Sequence, residues 1–310
     1  MKRSISPLRR LALAASALTG LMAAAPPTAG AADMIWVQDR DVPRMVSLGA
    51  RMVSLGGSCT RCELSGRDLS GATLTGANFA QATLVGANLR GAELIGSNFT
   101  GADFSRADMR GIEMVGSNFT NAKMTSVQLM GAEATGAVLI RADLTNANLS
   151  GAELQGVNMN SANLTRARLN DAEIFGATLA NINASGADFS NADIKASNLT
   201  GGNFNSASFR NADLDGARLS GGDFTRTDFR GASMRRTDIR GLDLTRARGL
   251  SADQVSEACG DASTRLPGDM TARNCRISGV RVIRTPPAPP APPAPPVPPR
   301  QRNLVISSGN

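Results

Sequence analysis

The chain has 310 residues, with 33 Lys and Arg against 26 Asp and Glu, 42% hydrophobic and 4% aromatic residues, and neither His nor Tyr. Lacking His, it lacks the commonest general base and metal ligand, and no Gly-rich phosphate loop or nucleophile elbow is present. The net charge of +7 sits at the ends: Lys2, Arg3, Arg9 and Arg10 carry four positive charges, residues 276–310 carry five with no acid, and residues 32–275 come to −2. The central part therefore offers no electrostatic footprint for nucleic acid.

Residues 1–31 read as a secretory signal peptide. The four early cations form its charged start, Leu11 to Ala25 its apolar region, and Ala29-Gly30-Ala31 a small-x-small cleavage site. The apolar run is short for a membrane anchor. The expectation is a periplasmic or secreted mature chain with no membrane span. Residues 32–61 contain Trp36, the single Trp, and a tandem heptapeptide, RMVSLGA at 44–50 and RMVSLGG at 51–57. They are predicted to form a lead-in that covers the open start of the repeats; a surface amphipathic segment is the alternative.

From Cys62 to Arg246 the sequence divides into 37 blocks of five, such as ATLTG, ANFAQ, ATLVG and ANLRG, without a slip of phase. The central residue, from Leu64 to Leu244, is always apolar: Leu 18 times, Phe nine, Met five, Ile three and Ala twice. Two residues before it stands Ala in 23 blocks, and Gly ends 20 of them. A period of five suits neither helix nor strand. A second period of 20 is visible in Phe79, Phe99 and Phe119, in Phe189, Phe209 and Phe229, and in Glu93, Glu113, Glu133, Glu153 and Glu173. Phe104 stands outside the Phe columns.

These blocks resemble the motif A-(D/N)-L-x-x of the pentapeptide repeat family. The resemblance implies an all-β fold, a right-handed quadrilateral parallel β-helix with four blocks per coil, here for residues 62–246. The central residue and the small residue two before it then point inward, and Gly supplies the positive φ of a type II turn. Coils stacked at roughly 4.8 Å give a rod roughly 44 Å long.

Residues 247–284 are expected to form a C-terminal helical cap. Ser251 and Gln254 make a capping box, Val255 and Cys259 share a helix face, and Gly260 is placed to terminate the helix. An even number of cysteines in an exported chain argues for disulfides. Cysteines at opposite ends of the rod lie too far apart to bridge, which leaves Cys59–Cys62 and Cys259–Cys275. A redox role for Cys59-Thr60-Arg61-Cys62 lacks a thioredoxin-like context. Residues 285–310 hold the proline run PPAPPAPPAPPVPP with Arg300 and Arg302 after it, predicted to be a disordered polyproline II tail, either spacer or ligand.

No catalytic residue and no cofactor are expected, since a convex rod offers no cleft. Three surface columns remain. The Glu column predicts mutual repulsion, relieved by Arg90 and Arg110 at Glu93 and Glu113, with a divalent cation such as Ca²⁺ as a candidate bridge along Glu133, Glu153 and Glu173. The column Ser65, Ser105, Thr125, Thr145, Thr165, Ser185, Thr225 and Thr245 is a candidate hydroxyl ladder facing glycan or ice. Arginines cluster within 210–248, either balanced by neighbouring Asp or facing an anionic polymer. The expected function is a non-enzymatic secreted scaffold or protein-interaction module whose partner is an unknown protein or cell-envelope polymer. The alternatives are a DNA-mimicking topoisomerase-binding protein and an envelope glycan- or cation-binding rod.

Overall fold

The computed structural model describes residues 57–274 and the backbone of two strands before them, β1 (Met34–Asp39) and β2 (Val42–Ser47). These strands form an antiparallel hairpin in which Met34 faces Ser47 and Asp39 faces Val42. The predicted signal peptide, the proline-rich tail and Cys275 lie outside the described residues.

The repeats build a parallel solenoid. Residues 20 apart pair along four separate ladders, for example Glu63 with Thr83, Asp68 with Asn88, Thr73 with Glu93 and Asn78 with Asn98. Each block contributes one rung and one corner. At the corner, the carbonyl of the central residue accepts from the N–H three residues on, as from Arg67 to Leu64 at 3.2 Å. The third residue of that turn takes a positive φ. Glycine suits that position, yet Arg106, Arg141, Asp171 and Ala196 also adopt φ of 54–60° there. The ladder dictates the conformation, and side chains that dislike it are tolerated.

The phase anticipated from the sequence holds throughout. Every central residue from Leu64 to Leu244 is buried. Phe79, Phe99 and Phe119 stack with centroids 5.2 Å apart, and Phe189 and Phe209 at 4.9 Å. Phe104 stands outside these columns, as read from the sequence, and tilts against Phe99 at 5.3 Å and Phe119 at 5.6 Å from the adjoining face. Where Ser or Thr replaces the small inward Ala, its hydroxyl donates to a carbonyl 23 residues earlier, as Thr227 does to Phe204 and Thr237 to Leu214, both at 2.8 Å. No buried side-chain polar atom lacks a partner among the described residues.

Both ends differ from expectation. Ladder pairing starts at Ser58, four residues before the predicted Cys62, and runs past Arg248 to Cys259 and Arg265, which pair with Asp238 and Asp243. Cys59 is therefore a core residue, 2% exposed, and is bonded to Cys62 with a Cα separation of 5.4 Å. After the repeats, α1 (Ala252–Glu257) has the predicted capping box between Ser251 and Gln254. It stops before Cys259, because Ala258 turns extended. Cys259–Gly260 instead forms β3, pairing in parallel with β4 (Arg273–Asn274). Gly260 thus does not end the helix: a Cβ there would sit 2.6 Å from that of Ala272, so the residue is required for close strand approach. Cys259 is disulfide-bonded; its predicted partner, Cys275, lies outside the described residues.

Two substitutions test this phase. Leu149→Asp places a carboxylate in the sealed core and is expected to destabilise by about 4 kcal/mol or more, whereas Ser150→Asp, on the outside, is expected to be nearly silent. Ala196→Gly removes a left-handed alanine and should stabilise by about 0.5 kcal/mol, the strain relieved less the entropy added. Chemical denaturation measures all three; equal losses for Leu149→Asp and Ser150→Asp contradict the phase.

Candidate functional surfaces

The residue before each central position points outward from its rung, and the motif's preference for Asp or Asn there has a local cause. The side-chain oxygen accepts the backbone N–H two residues on, as Asp103 does from Ser105 at 3.0 Å and Asn163 from Thr165 at 3.2 Å. That N–H has no ladder partner, so the carboxylate or amide completes the backbone accounting. The hydroxyl column is spent on the same acceptors. Ser105 donates to Asp103, Thr145 to Asp143, Thr165 to Asn163 and Thr245 to Asp243, at 2.5–2.6 Å. Thr125 donates to Asp143 and Ser185 to the Asn205 carbonyl. This corrects the picture of a ladder of open hydroxyls: the donors are turned inward along the rod.

The glutamates do form consecutive rungs of one face, Glu93 to Glu173, and the column continues through Asp193 and Asp213. The last two were not recognised as its members in the sequence because Asp replaces Glu. Lys195 bridges both at 3.0 Å. Arg110 does not relieve Glu113, however. It pairs with Asp108, two residues before it and on the neighbouring face, at 2.5 Å. Arg90 likewise acts on Asp108, whose carboxyl is held below its ordinary pKa first by the Arg110 hydrogen bonds. None of the five glutamates makes an ion pair among the described residues; Glu93 accepts from Thr73 and Glu173 from Gln155. Glu133, Glu153 and Glu173 do not form a metal-holding cluster, and no group of three or more such ligands occurs among the described residues. The column projects into solvent in single file and does not converge on a point. Beside it stand three large apolar side chains at corners, Ile95, Met130 and Phe175, exposed by 37%, 42% and 53%.

The arginine-rich end is largely balanced by its own acids. Arg230 pairs with Asp228 and Arg240 with Asp238, each within the same block, and Arg235 reaches Asp215 one coil back at 2.8 Å. Next to it, Gln254 of α1 donates to the carbonyls of Phe229 and Ala232, and Val255 is buried.

One ladder is interrupted. Asn203 pairs with Asp223, and Asp243 pairs with Arg265, but Asp223 and Asp243 are not paired. A slot of about 320 Å³ opens there, lined by Gly221, Gly222, Asp223, Asp243 and Arg246 among others. Gly222 is the single inward small residue between Ala72 and Leu242 that is not buried.

Comparison with known proteins follows this geometry. A family model described as pentapeptide repeats matches residues 58–94, 97–133, 135–171, 172–211 and 212–248, beginning where the ladder pairing begins at Ser58. Among solved structures, HetL, a pentapeptide repeat protein involved in heterocyst differentiation regulation in the cyanobacterium Nostoc, is 30% identical over 69% of this chain and 94% of its own, with a TM-score of 0.53. QnrB1, a plasmid-mediated fluoroquinolone resistance protein, is 20% identical over 69% of this chain and 92% of its own, with a TM-score of 0.35. A pentapeptide repeat protein of the Arabidopsis thaliana thylakoid lumen is 28% identical over 36% of this chain and 71% of its own, with a TM-score of 0.16. No match was found among curated proteins.

The electrostatics give a pH dependence. Asp228 and Asp238 are held below the ordinary carboxyl range first by hydrogen bonds from Arg230 and Arg240, and Asp261 is lowered to about 2 first by the Ser263 hydroxyl. A carboxylate lowered on folding contributes stability above its unfolded pKa and loses it as pH falls through the folded value. Melting temperature is therefore expected to hold from pH 7 to 5 and to fall below about pH 4, less steeply in Asp228→Asn. A midpoint that rises on acidification contradicts this assignment.

Proposed function

This chain belongs to the pentapeptide repeat family, and from that premise we propose that it is a non-enzymatic, exported scaffold or interaction module that presents one long face to a protein or cell-envelope partner. The observation that carries this reading is the unpaired glutamate column from Glu93 to Glu173, bordered by the exposed Ile95, Met130 and Phe175. Elsewhere the outward polar groups are largely spent on the rod's own backbone or on neighbouring cations. Here five carboxylates without an ion pair among the described residues, of which Glu93 and Glu173 accept a side-chain hydrogen bond, stand beside three exposed apolar side chains, a combination suited to a partner that is cationic and partly apolar. The role of HetL in a regulatory process is consistent with a repeat protein that works by contact. Export rests on the charged, apolar and small-residue pattern of residues 1–31. We further propose that α1 acts as the C-terminal cap, since Gln254 takes up carbonyls of the last coil.

A second reading, a topoisomerase-binding DNA mimic, draws on the same column, seven acidic rungs long when Asp193 and Asp213 are included. Arg90 and Arg110 on the adjoining face weaken it, because a DNA mimic needs a broadly negative surface.

Fractionation of the native host with tagged full-length protein tests the address, and quantitative affinity capture tests the face. The expected results are a shortened product outside the cytoplasm and a partner set lost on combining Glu113→Gln, Glu133→Gln and Glu153→Gln with Phe175→Ser. An unprocessed cytoplasmic product contradicts export. A partner set unchanged by those substitutions contradicts the face, and inhibition of gyrase supercoiling by the purified protein favours the mimic.

A further inference from the structure

The interrupted ladder coincides with three unusual successive inward positions of one face. They read Gly202, Gly222 and Leu242, where most blocks have Ala. The Phe204 and Phe224 rings lie over the two glycines so closely that a Cβ would approach ring carbons at 2.5 and 2.7 Å. Leu242, buried at 2%, then fills the next inward position with a much larger side chain. Ile182 occupies the same column one coil before Gly202 without disturbing the ladder; the interruption falls where Leu242 follows two glycines.

The backbone records the separation. One coil earlier, Phe204 N–H donates to the Asp223 carbonyl at 2.7 Å, Asp223 N–H to Gly202 at 2.9 Å and Gly201 N–H to Ser220 at 3.1 Å. The equivalent bonds from Phe224, Asp243 and Gly221 are absent among the described residues, and Arg226 N–H slips by one residue to the Arg246 carbonyl at 3.2 Å. Three donors and their former acceptors are thus opened together on the two walls of a slot, where backbone groups of a folded chain are ordinarily paired. Two charges flank them. Asp223 accepts from Thr225 N–H at 2.9 Å, and hydrogen bonds from Thr225 hold its carboxyl below the ordinary range. Asn205 and the Arg226 charge also act on Asp223, but it makes no ion pair among the described residues; Arg246 makes none either and acts on Asp243 from further away, whereas Arg265 reaches Asp243 at 3.9 Å. The slot is therefore lined by a carboxylate and a guanidinium that make no ion pair among the described residues, together with the opened backbone donors and acceptors.

We propose that this slot is a binding site for a small zwitterion, a free amino acid or a short peptide, with the ligand ammonium on Asp223 and its carboxylate on Arg246 and the opened N–H groups. The chemistry follows from the pairing. A simple anion is repelled by Asp223, and a divalent cation meets Arg246 with too few carboxylates. A neutral sugar leaves both charges without a counterpart. Gly221 and Gly241 on the lining of the slot carry no side chain to fill it.

Calorimetric titration of the full-length protein at low ionic strength tests this, with alanine and alanylalanine as probes and glucose and calcium chloride as controls. At least one zwitterion is expected to bind saturably; a preference for alanine identifies the free amino acid, and for alanylalanine the peptide. Asp223→Asn, which keeps the acceptor for Thr225, and Arg246→Gln are each expected to weaken binding about tenfold or more, the value of one charge-assisted hydrogen bond. At pH 7 Arg246→Gln should melt close to the wild type and Asp223→Asn slightly lower, since the lowered carboxyl of Asp223 contributes stability there. In the wild-type protein, exchange of the Phe224 and Asp243 amides is expected to slow on addition of the zwitterion, a readout independent of any variant. The proposal is overturned if neither zwitterion binds, if both variants bind like the wild type, if those amides are unaffected by a saturating zwitterion, or if only glucose or calcium binds.

Discussion

Everything in this molecule depends on the 20-residue parallel ladder, which requires each coil to present the same inner volume as the coil it lies on. A side chain entering the core has its neighbours fixed one rung above and below. Large central residues therefore stack upon large ones, as Phe189, Phe209 and Phe229 do. The residue two positions earlier is usually Ala, at four positions Val or Ile (Ile112, Val127, Val157 and Ile182), and where it is Ser or Thr it returns its hydroxyl to a carbonyl of the preceding coil. Such a core has no freedom to hollow out gradually. Between the coils of Gly222 and Leu242 one ladder is interrupted.

The same ladder governs the outside. Of the five backbone N–H groups in a regular block, four bond to backbone and the fifth turns to the Asp or Asn side chain before the central residue. Most of the polarity of the surface is therefore structural. Surface residues acquire a capacity for recognition where they fall outside this accounting. Glu is one methylene longer than Asp and accepts the local N–H less regularly; along Glu93–Glu173 no such bond is formed among the described residues, although Glu63 makes one with Ser65. The acidic face is thus the part of the repeat least occupied by the fold itself.

Much of this was legible in the residues. The five-residue phase placed each central side chain inside, and the 20-residue spacing of Phe and Glu gave the number of faces before any coordinates. Ser251 and Gln254 marked the start of α1. What escaped was decided by geometry across a coil. Arg110 lies three residues before Glu113, but the corner between them points it at Asp108. The hydroxyls of Ser105 and Thr145 form a column in sequence, yet rotate onto carboxylates two residues back. Cys59 carries no Ala-x-Leu signature around it and still occupies a central position. The slot was hidden because Gly222 and Leu242 are each unremarkable alone; their vertical adjacency matters, and a reading by blocks of five does not display it.

Amide hydrogen exchange resolved to single residues tests the account most directly. The account predicts a five-residue rhythm from about Leu74 to Leu219. Amides of the central residue and of the residue before it should be strongly protected, as at Leu144 and Asn148, and those bonded only to a side chain, as at Thr145, should exchange faster. Protection without that rhythm, or a rhythm with Thr145 protected and Leu144 exposed, would contradict the ladder on which the rest depends.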